Sequence, residues 1–203
     1  MKLKSALFTF LSFFALSVTA QLTLERDTTL LISENGIAFE NRFAGGINAG
    51  QFSEIDLDLD GTMDMIIFDR SDNKISPFLN VNGKYIHAPE YRKYFPKLRD
   101  WVLLADYNCD GKNDIYTYTS GAMGIYKNTS TTTLNFTLIT AMVGYDNKPN
   151  IYISPVDIPA ISDIDYDGDL DVLTFAMNGG FVKYYKNMAI ELSGTCDTVA
   201  FTY

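Results

Sequence analysis

The sequence predicts an all-β fold built from repeated four-stranded antiparallel units, and three observations lead to this prediction. Beyond the first twenty residues the chain is rich in Phe, Tyr, Ile, Leu and Thr and has only scattered helix-forming runs, which favours strands. An acidic pattern, D-x-[DN]-x-D-G-x-x-D, occurs three times, with its copies 50 and 57 residues apart. Short apolar runs surround each copy in the same order.

The first twenty residues have the pattern of a removable secretory signal. Lys2 and Lys4 precede an apolar run at 6–18, and Val18-Thr19-Ala20 places small residues before a cut at Gln21. The run is short for a membrane span, so a cleaved signal is favoured over an anchor. We therefore expect a secreted, surface or periplasmic protein with no membrane insertion after cleavage.

Each acidic loop has a predicted strand before it and three after it, and the third strand ends in Asn. The predicted strands are 51–55, 65–68, 78–80 and 84–87 in the first unit, 101–105, 115–118, 126–128 and 134–140 in the second, and 158–162, 172–175, 185–187 and 198–203 in the third. The units cover about 47–95, 96–145 and 150–203, after a leader at 21–46 that supplies a strand or a partial blade.

A four-stranded antiparallel meander of this length is the outline of a β-propeller blade. Closed propellers have about four to eight blades, whereas three units are visible here. We therefore expect either a fragment of a longer protein, which is the favoured alternative, or an incomplete propeller whose open edges are covered by the leader or by another copy.

The acidic loops carry more carboxylates than a turn requires, and like charges a few ångströms apart repel one another. A cation explains the crowding. Ca²⁺ takes about six to eight oxygen ligands in a flexible shell, and a Gly at position 6 permits the sharp turn. Position 7 supplies a backbone carbonyl, although the Asp169 side chain stays open as a ligand. The predicted ligands are Asp56, Asp58, Asp60, Thr62 and Asp64, then Asp106, Asn108, Asp110, Lys112 and Asp114, then Asp163, Asp165, Asp167, Asp169 and Asp171.

Other metal sites fit the pattern poorly. No His or Cys cluster suits zinc or copper, and Mg²⁺ prefers fewer protein ligands. An EF-hand needs Glu at position 12 between two helices, where this chain has Ile67, Thr117 and Thr174 with β-rich flanks. The sequence therefore predicts about three structural calcium ions.

With these residues, the units resemble FG-GAP/VCBS-type repeats, the calcium-loop blades of integrin α-chain propellers and of many secreted bacterial proteins. The resemblance covers about residues 43–203, and Phe43-Ala44-Gly45-Gly46 is a loose echo of the signature that names the family. It implies a β-propeller in which calcium braces the blades on one face. It implies no single partner, because such propellers bind proteins or glycans.

The formal charge of −9 becomes −11 without Lys2 and Lys4, and the predicted side-chain ligands at positions 1, 3, 5 and 9 include eleven aspartates. The acidity is therefore concentrated in the loops, and three Ca²⁺ ions would leave about −5. The net charge indicates no partner class, and we expect no nucleic-acid binding.

Cys109 and Cys196 have no spacing signature, so the sequence does not favour a disulfide, although export permits one.

No catalytic motif was found in the sequence. The single histidine, His87, is expected to be a surface or packing residue, and Glu54 and Glu90 are carboxylates without a predicted ligand role. Four aromatic residues can stack on a sugar, although packing is the favoured role: Trp101, Tyr107, Tyr184 and Tyr185. We expect a non-enzymatic adhesion or recognition module for a protein or glycan; the alternative is an accessory propeller of a longer exported enzyme, such as a polysaccharide-degrading one.

Overall fold

The computed structural model describes Asp27 and residues 30–203. The protein is all-β, with 39% of the described residues in strands and 6% in helices. The predicted signal at 1–20 lies outside the described residues. Within them, no helix is long and apolar enough to cross a membrane.

The chain divides into two compact units, Met1–Phe39 and Glu40–Tyr203. The described part of the first unit contains a hairpin of β1 (Ser33–Glu34) and β2 (Ile37–Ala38). Asn35 and Gly36 form its turn and both have positive φ, as a two-residue hairpin turn requires. This hairpin lies in the predicted leader.

The second unit begins with a four-stranded meander, in which every pair of neighbours is antiparallel. Its strands are β3 (Gly50–Ile55), β4 (Asp64–Asp69), β5 (Lys74–Val81) and β6 (Lys84–His87). Asn82 and Gly83 join the last two strands in another positive-φ turn. A 3₁₀ helix (Pro89–Tyr94) leads towards the next sheet.

Two further sheets repeat the same topology along the chain. The second contains β7 (Val102–Ala105), β8 (Asp114–Thr119), β9 (Ala122–Asn128) and β10 (Phe136–Thr140), and the third contains β11 (Ala160–Ser162), β12 (Asp171–Phe175), β13 (Val182–Asn187) and β14 (Phe201–Thr202). The predicted four-stranded antiparallel units are therefore present three times. Among the described residues no closed propeller is detected.

The third meander departs from the predicted strand order in one respect. A short helix, α1 (Ala189–Ser193), lies between β13 and β14 and is capped by Gly194, which has a left-handed conformation. The last strand is correspondingly short, because only Phe201 and Thr202 pair with β13. The strand predicted at 198–203 is thus reduced to two residues.

The hydrophobic core lies between successive sheets. Alternation along β8 places Ile115 in a buried cluster with the first sheet and Tyr116 in a buried cluster with the third. Trp101, Tyr116 and Tyr185 are among the largest fully buried side chains of the second cluster. The middle sheet is therefore covered on both faces.

Cys109 and Cys196 form a disulfide, with 5.8 Å between their Cα atoms. The sequence did not favour this bond, so that expectation is corrected. The two cysteines are 87 positions apart, and they meet because the second acidic loop lies beside the segment that follows α1. Only the packing of the second four-stranded sheet against the third brings the two cysteines together.

Candidate metal centres

The three acidic loops occupy the same place in the three sheets. They join β3 to β4 at 56–64, β7 to β8 at 106–114 and β11 to β12 at 163–171. We call them loop 1, loop 2 and loop 3 and number their residues from the first Asp. Each loop thus connects the first strand of a meander to the second, as the sequence predicted.

The position-9 aspartates anchor the loops. Asp64, Asp114 and Asp171 are at most 2% exposed. One oxygen of each accepts a hydrogen bond from the position-2 N–H at 2.8–3.0 Å, and the other accepts the backbone N–H of the recurring Asn, which is the last or the second-last residue of the third strand, at 2.6–2.8 Å. These bonds fix where the third strand meets the loop, because the backbone N–H at that place must reach the position-9 carboxylate.

The Asn side chain also serves the loop in the first two sheets. The Nδ2 of Asn80 donates to the Met63 carbonyl, and the Nδ2 of Asn128 donates to the Asn113 carbonyl. Both carbonyls belong to position 8. The Asn therefore holds the closing end of the loop through its side chain as well as its backbone.

The position-1 aspartates organise the turn. Asp56, Asp106 and Asp163 each accept the N–H groups of positions 5 and 6, at 2.7–3.2 Å. The position-5 carboxylates each accept the N–H of position 7 at 2.7–3.1 Å. The same hydrogen bonds therefore recur in all three loops.

Backbone conformation repeats as well. Position 4 has positive φ in every loop, at Leu59, Cys109 and Tyr166, although none of these residues is glycine. The Gly at position 6 has φ between 83° and 103°. Left-handed backbone is unfavourable for residues with a Cβ, so the surrounding hydrogen bonds stabilise the turn enough to offset this cost.

Two loops bring carboxylates close enough to share one cation. In loop 1 one oxygen from each of Asp56, Asp58 and Asp64 lies within 4.8 Å of the others, and the corresponding three aspartates of loop 3 form the same cluster. Within the described part of the chain, loop 2 has no such group of three carboxylates. Its position 3 is Asn108, so this loop offers an amide oxygen instead.

Crowding and burial change the acidity of these groups. Burial, followed by the nearby charges of Asp60 and Asp64, raises the pKa of Asp58. Burial raises the pKa of Asp114 to about 6, although two backbone N–H groups oppose the shift. Burial also raises the pKa of Asp169. A cation favours the charged forms of such carboxylates.

Two oxygens in the loops lack a hydrogen-bond donor. Asn108 is 7% exposed and Asp169 is 1% exposed, yet Oδ1 of each is buried without a hydrogen-bond partner. Buried acceptors of this kind are uncommon because leaving them unsatisfied is costly. Oxygen-only donor sets with free lone pairs fit a hard cation such as Ca²⁺.

The side chains of the position-7 residues make different contacts in the three loops. Lys112 donates to the Ser130 carbonyl, and Asp169 Oδ2 accepts the N–H of Ile190 at the start of α1. Thr62 is exposed. These differences agree with the prediction that position 7 serves a metal through its main chain, and the predicted carbonyl ligation stays a prediction.

Loop 3 has two neighbours that the sequence reasoning missed. The Lys186 ammonium forms ion pairs with Asp165, Asp167 and Glu191. Lys186 directly precedes the recurring Asn, so its proximity to the loop could have been inferred from the repeat. Glu191 lies on α1, which has no counterpart between the third and fourth strands of the other two sheets. No sequence signal predicted that Glu191 would lie beside loop 3.

The remaining candidates are mostly packing residues. Trp101, Tyr107 and Tyr185 are at most 6% exposed, which supports the favoured packing role over sugar stacking. Tyr184 is 37% exposed and donates its hydroxyl to Asp171. His87 lies at the end of β6, with its ring 5.2 Å from that of Phe78.

Comparison with known proteins adds no relative. No family model matches the chain, and no curated protein or solved structure matches it.

Proposed function

We propose that this chain is a secreted calcium-binding module of β-propeller blades, similar to FG-GAP/VCBS-type repeats, in which Ca²⁺ has a structural role. The observation that carries the proposal is the threefold recurrence of one loop, with the same hydrogen bonds and the same positive-φ positions. A turn without a metal needs neither the buried position-9 aspartate nor the converging carboxylates of positions 1, 3 and 9 that loops 1 and 3 share. A metal loop uses both.

The chemistry of the donors favours calcium. Every predicted side-chain donor is an oxygen, and carboxylates in loops 1 and 3 already converge within 4.8 Å. Ca²⁺ tolerates the irregular coordination that such a flexible loop offers, whereas Mg²⁺ demands near-octahedral geometry. A Ca²⁺ ion would also satisfy buried acceptors such as Asn108 Oδ1 and offset the repulsion among the aspartates.

Calcium in these loops would stabilise each meander where its first and second strands meet. At about 1 mM free calcium and a dissociation constant of about 10⁻⁴ M, each site contributes roughly 1.4 kcal/mol. Three sites together are a large share of a typical stability of roughly 5–15 kcal/mol. The ions would therefore act as fold-stabilising ligands.

The blade proposal is supported by one cross-strand pair that recurs in every sheet. Phe68 pairs with Ile75 and Tyr118 pairs with Met123, and all four side chains are buried against the following sheet. The equivalent pair in the third sheet is Phe175 and Val182, which are 44% and 55% exposed. An apolar pair at an interface position supports packing of a further blade on this face.

A recognition role is the function that fits a module of this kind. The described site residues serve the loops and the core, and the His87 ring packs 5.2 Å from that of Phe78. Protein or glycan ligands are the proposed partners. The second candidate is an accessory propeller of a longer exported enzyme, and the exposed pair on the third sheet is the observation that favours additional chain or blades.

Thermal unfolding with and without calcium tests the proposal. We expect the metal-stripped protein to unfold at a temperature lower by several degrees and calcium to restore it, with Asp56→Asn and Asp163→Asn each removing part of the restoration. Asp72→Asn is the matched control, because Asp72 is an exposed aspartate outside the loops. Unchanged unfolding after chelation would contradict calcium binding. Glycan-array and pull-down assays with calcium-loaded protein then test recognition.

A further inference from the structure

Loops 1 and 3 form a natural comparison. Both carry Asp at positions 1, 3, 5 and 9, and both place the carboxylates of positions 1, 3 and 9 within 4.8 Å of one another. Their hydrogen bonds and backbone conformations also correspond. A difference in metal affinity between them must therefore come from position 7 or from neighbouring side chains.

The residue that precedes the recurring Asn is the clearest difference. It is Lys186 beside loop 3, and its ammonium bonds Asp165, Asp167 and Glu191. The equivalent residue beside loop 1 is Leu79, which lines an open cavity of about 340 Å³ together with Asp58 and Asp60. Among the described residues, no Lys or Arg pairs with a loop 1 carboxylate within 4.0 Å.

We propose that Lys186 is a built-in competitor for the cation of loop 3, so that loop 3 binds calcium more weakly than loop 1. This inference rests on the proposed function, because it concerns the same calcium loops. Asp165 and Asp167 are metal donors at positions 3 and 5 and are also the ammonium's partners. A divalent cation in loop 3 must therefore displace Lys186 or lie beside a like charge, and either cost lowers its affinity.

The consequence is a graded response to calcium. Loop 1 has crowded carboxylates and no internal counter-ion, so it depends on calcium for neutralisation. Loop 3 keeps part of its negative charge neutralised by Lys186 when calcium is scarce. Falling calcium would empty loop 3 before loop 1, while the ion pairs hold loop 3 in place.

One difference acts in the opposite direction. Position 7 is Thr62 in loop 1 and the buried Asp169 in loop 3, and an additional carboxylate would strengthen cation binding. We expect the effect of Lys186 to outweigh that of Asp169, so that loop 1 binds calcium more tightly than loop 3. If loop 3 binds calcium as tightly as loop 1 or more tightly, the role assigned to Lys186 is wrong.

Site-resolved NMR titration tests the inference. The backbone N–H groups of Gly61 and Gly168 donate to the position-1 aspartates, so their ¹H–¹⁵N signals report loop 1 and loop 3 separately. We expect the Gly61 signal to reach its midpoint at about tenfold lower calcium than the Gly168 signal. Calcium in loop 3 must disrupt the ion pairs of Lys186, and the loss of a small ion-pair network corresponds to about this factor. Calcium is added to metal-stripped full-length protein.

Paired variants locate the cause. Lys186→Met keeps the length of the side chain but removes the charge, so the Gly168 midpoint should fall about tenfold. Leu79→Lys should raise the Gly61 midpoint, which keeps the test valid if the first variant folds poorly. Lys183→Met is the matched control on the same strand, because Lys183 lies over the Tyr203 ring instead of a loop carboxylate.

The outcomes separate this inference from the proposed function. If neither glycine signal responds to several millimolar calcium, the calcium proposal itself fails. If both respond but Lys186→Met leaves the Gly168 midpoint unchanged, calcium binding stands and the competitor role of Lys186 is refuted.

Discussion

Reducing the Cys109–Cys196 disulfide should destabilise the protein substantially, because this bond closes a long loop. The cysteines are 87 positions apart, and a cross-link at that distance removes about 15 cal/mol/K of entropy from the unfolded chain. The loss is worth at most about 4.6 kcal/mol at 25 °C, and measured values for such bonds are typically about 2–4 kcal/mol. We expect a loss of about 3 kcal/mol.

Denaturant unfolding at fixed calcium, with and without reductant, measures this loss. A drop of about 3 kcal/mol corresponds to a fall in Tm of about 6–12 °C for a domain of this size. The Cys109→Ser/Cys196→Ser double variant is the control, because its stability should match that of the reduced protein and should not respond to reductant. Two titratable thiols in the unreduced native protein, or a loss below about 1 kcal/mol, would refute the reasoning.

Three further predictions concern the rest of the fold. Backbone N–H groups lower the pKa of Asp69, so the stability difference between the wild-type protein and Asp69→Asn should be fully present at neutral pH and should shrink below about pH 4 in acid titrations. Gly144→Ala places a Cβ 2.6 Å from the Lys148 carbonyl oxygen and should cost about 1–3 kcal/mol in denaturant unfolding, whereas Gly46→Ala, with open space, should change little. Arg70→Met removes hydrogen bonds to three backbone carbonyls and should lower stability by about 1–3 kcal/mol in the same assay.

Local features of the sequence were sufficient to predict the strands and the loops. The run at 84–87 coincides with β6, and most other predicted strands agree with the structure within about two residues. Alternating apolar residues and Asn-Gly turns encode such elements over a few positions. The spacing of the aspartates likewise specifies a turn whose hydrogen bonds lie almost entirely within nine residues.

The recurring Asn shows how far a repeat can extend this reasoning. Its position 22 or 24 residues after the first Asp was visible in the sequence. In the structure its backbone N–H satisfies the buried position-9 carboxylate, as that of Asn187 does for Asp171. In the first two sheets the amide side chain also donates to the position-8 carbonyl. A repeated residue outside the loop was therefore a signal of a contact with the loop.

By itself, then, the sequence determined the all-β class, the three meanders and the place of the acidic loops, because each depends on residues close together in the chain. Tertiary structure alone decided the Cys109–Cys196 bond, the contact of Glu191 with Lys186 and the reach of Arg70 to the carbonyls of Asp100 and Pro155. The disulfide and the Arg70 contacts require neighbouring sheets to pack at a particular distance, and Glu191 requires an inserted helix to fold back over loop 3. The pattern and spacing of residues encode neither the packing distance of the sheets nor the position of the helix, because partners distant in sequence meet only when the sheets bury their shared core.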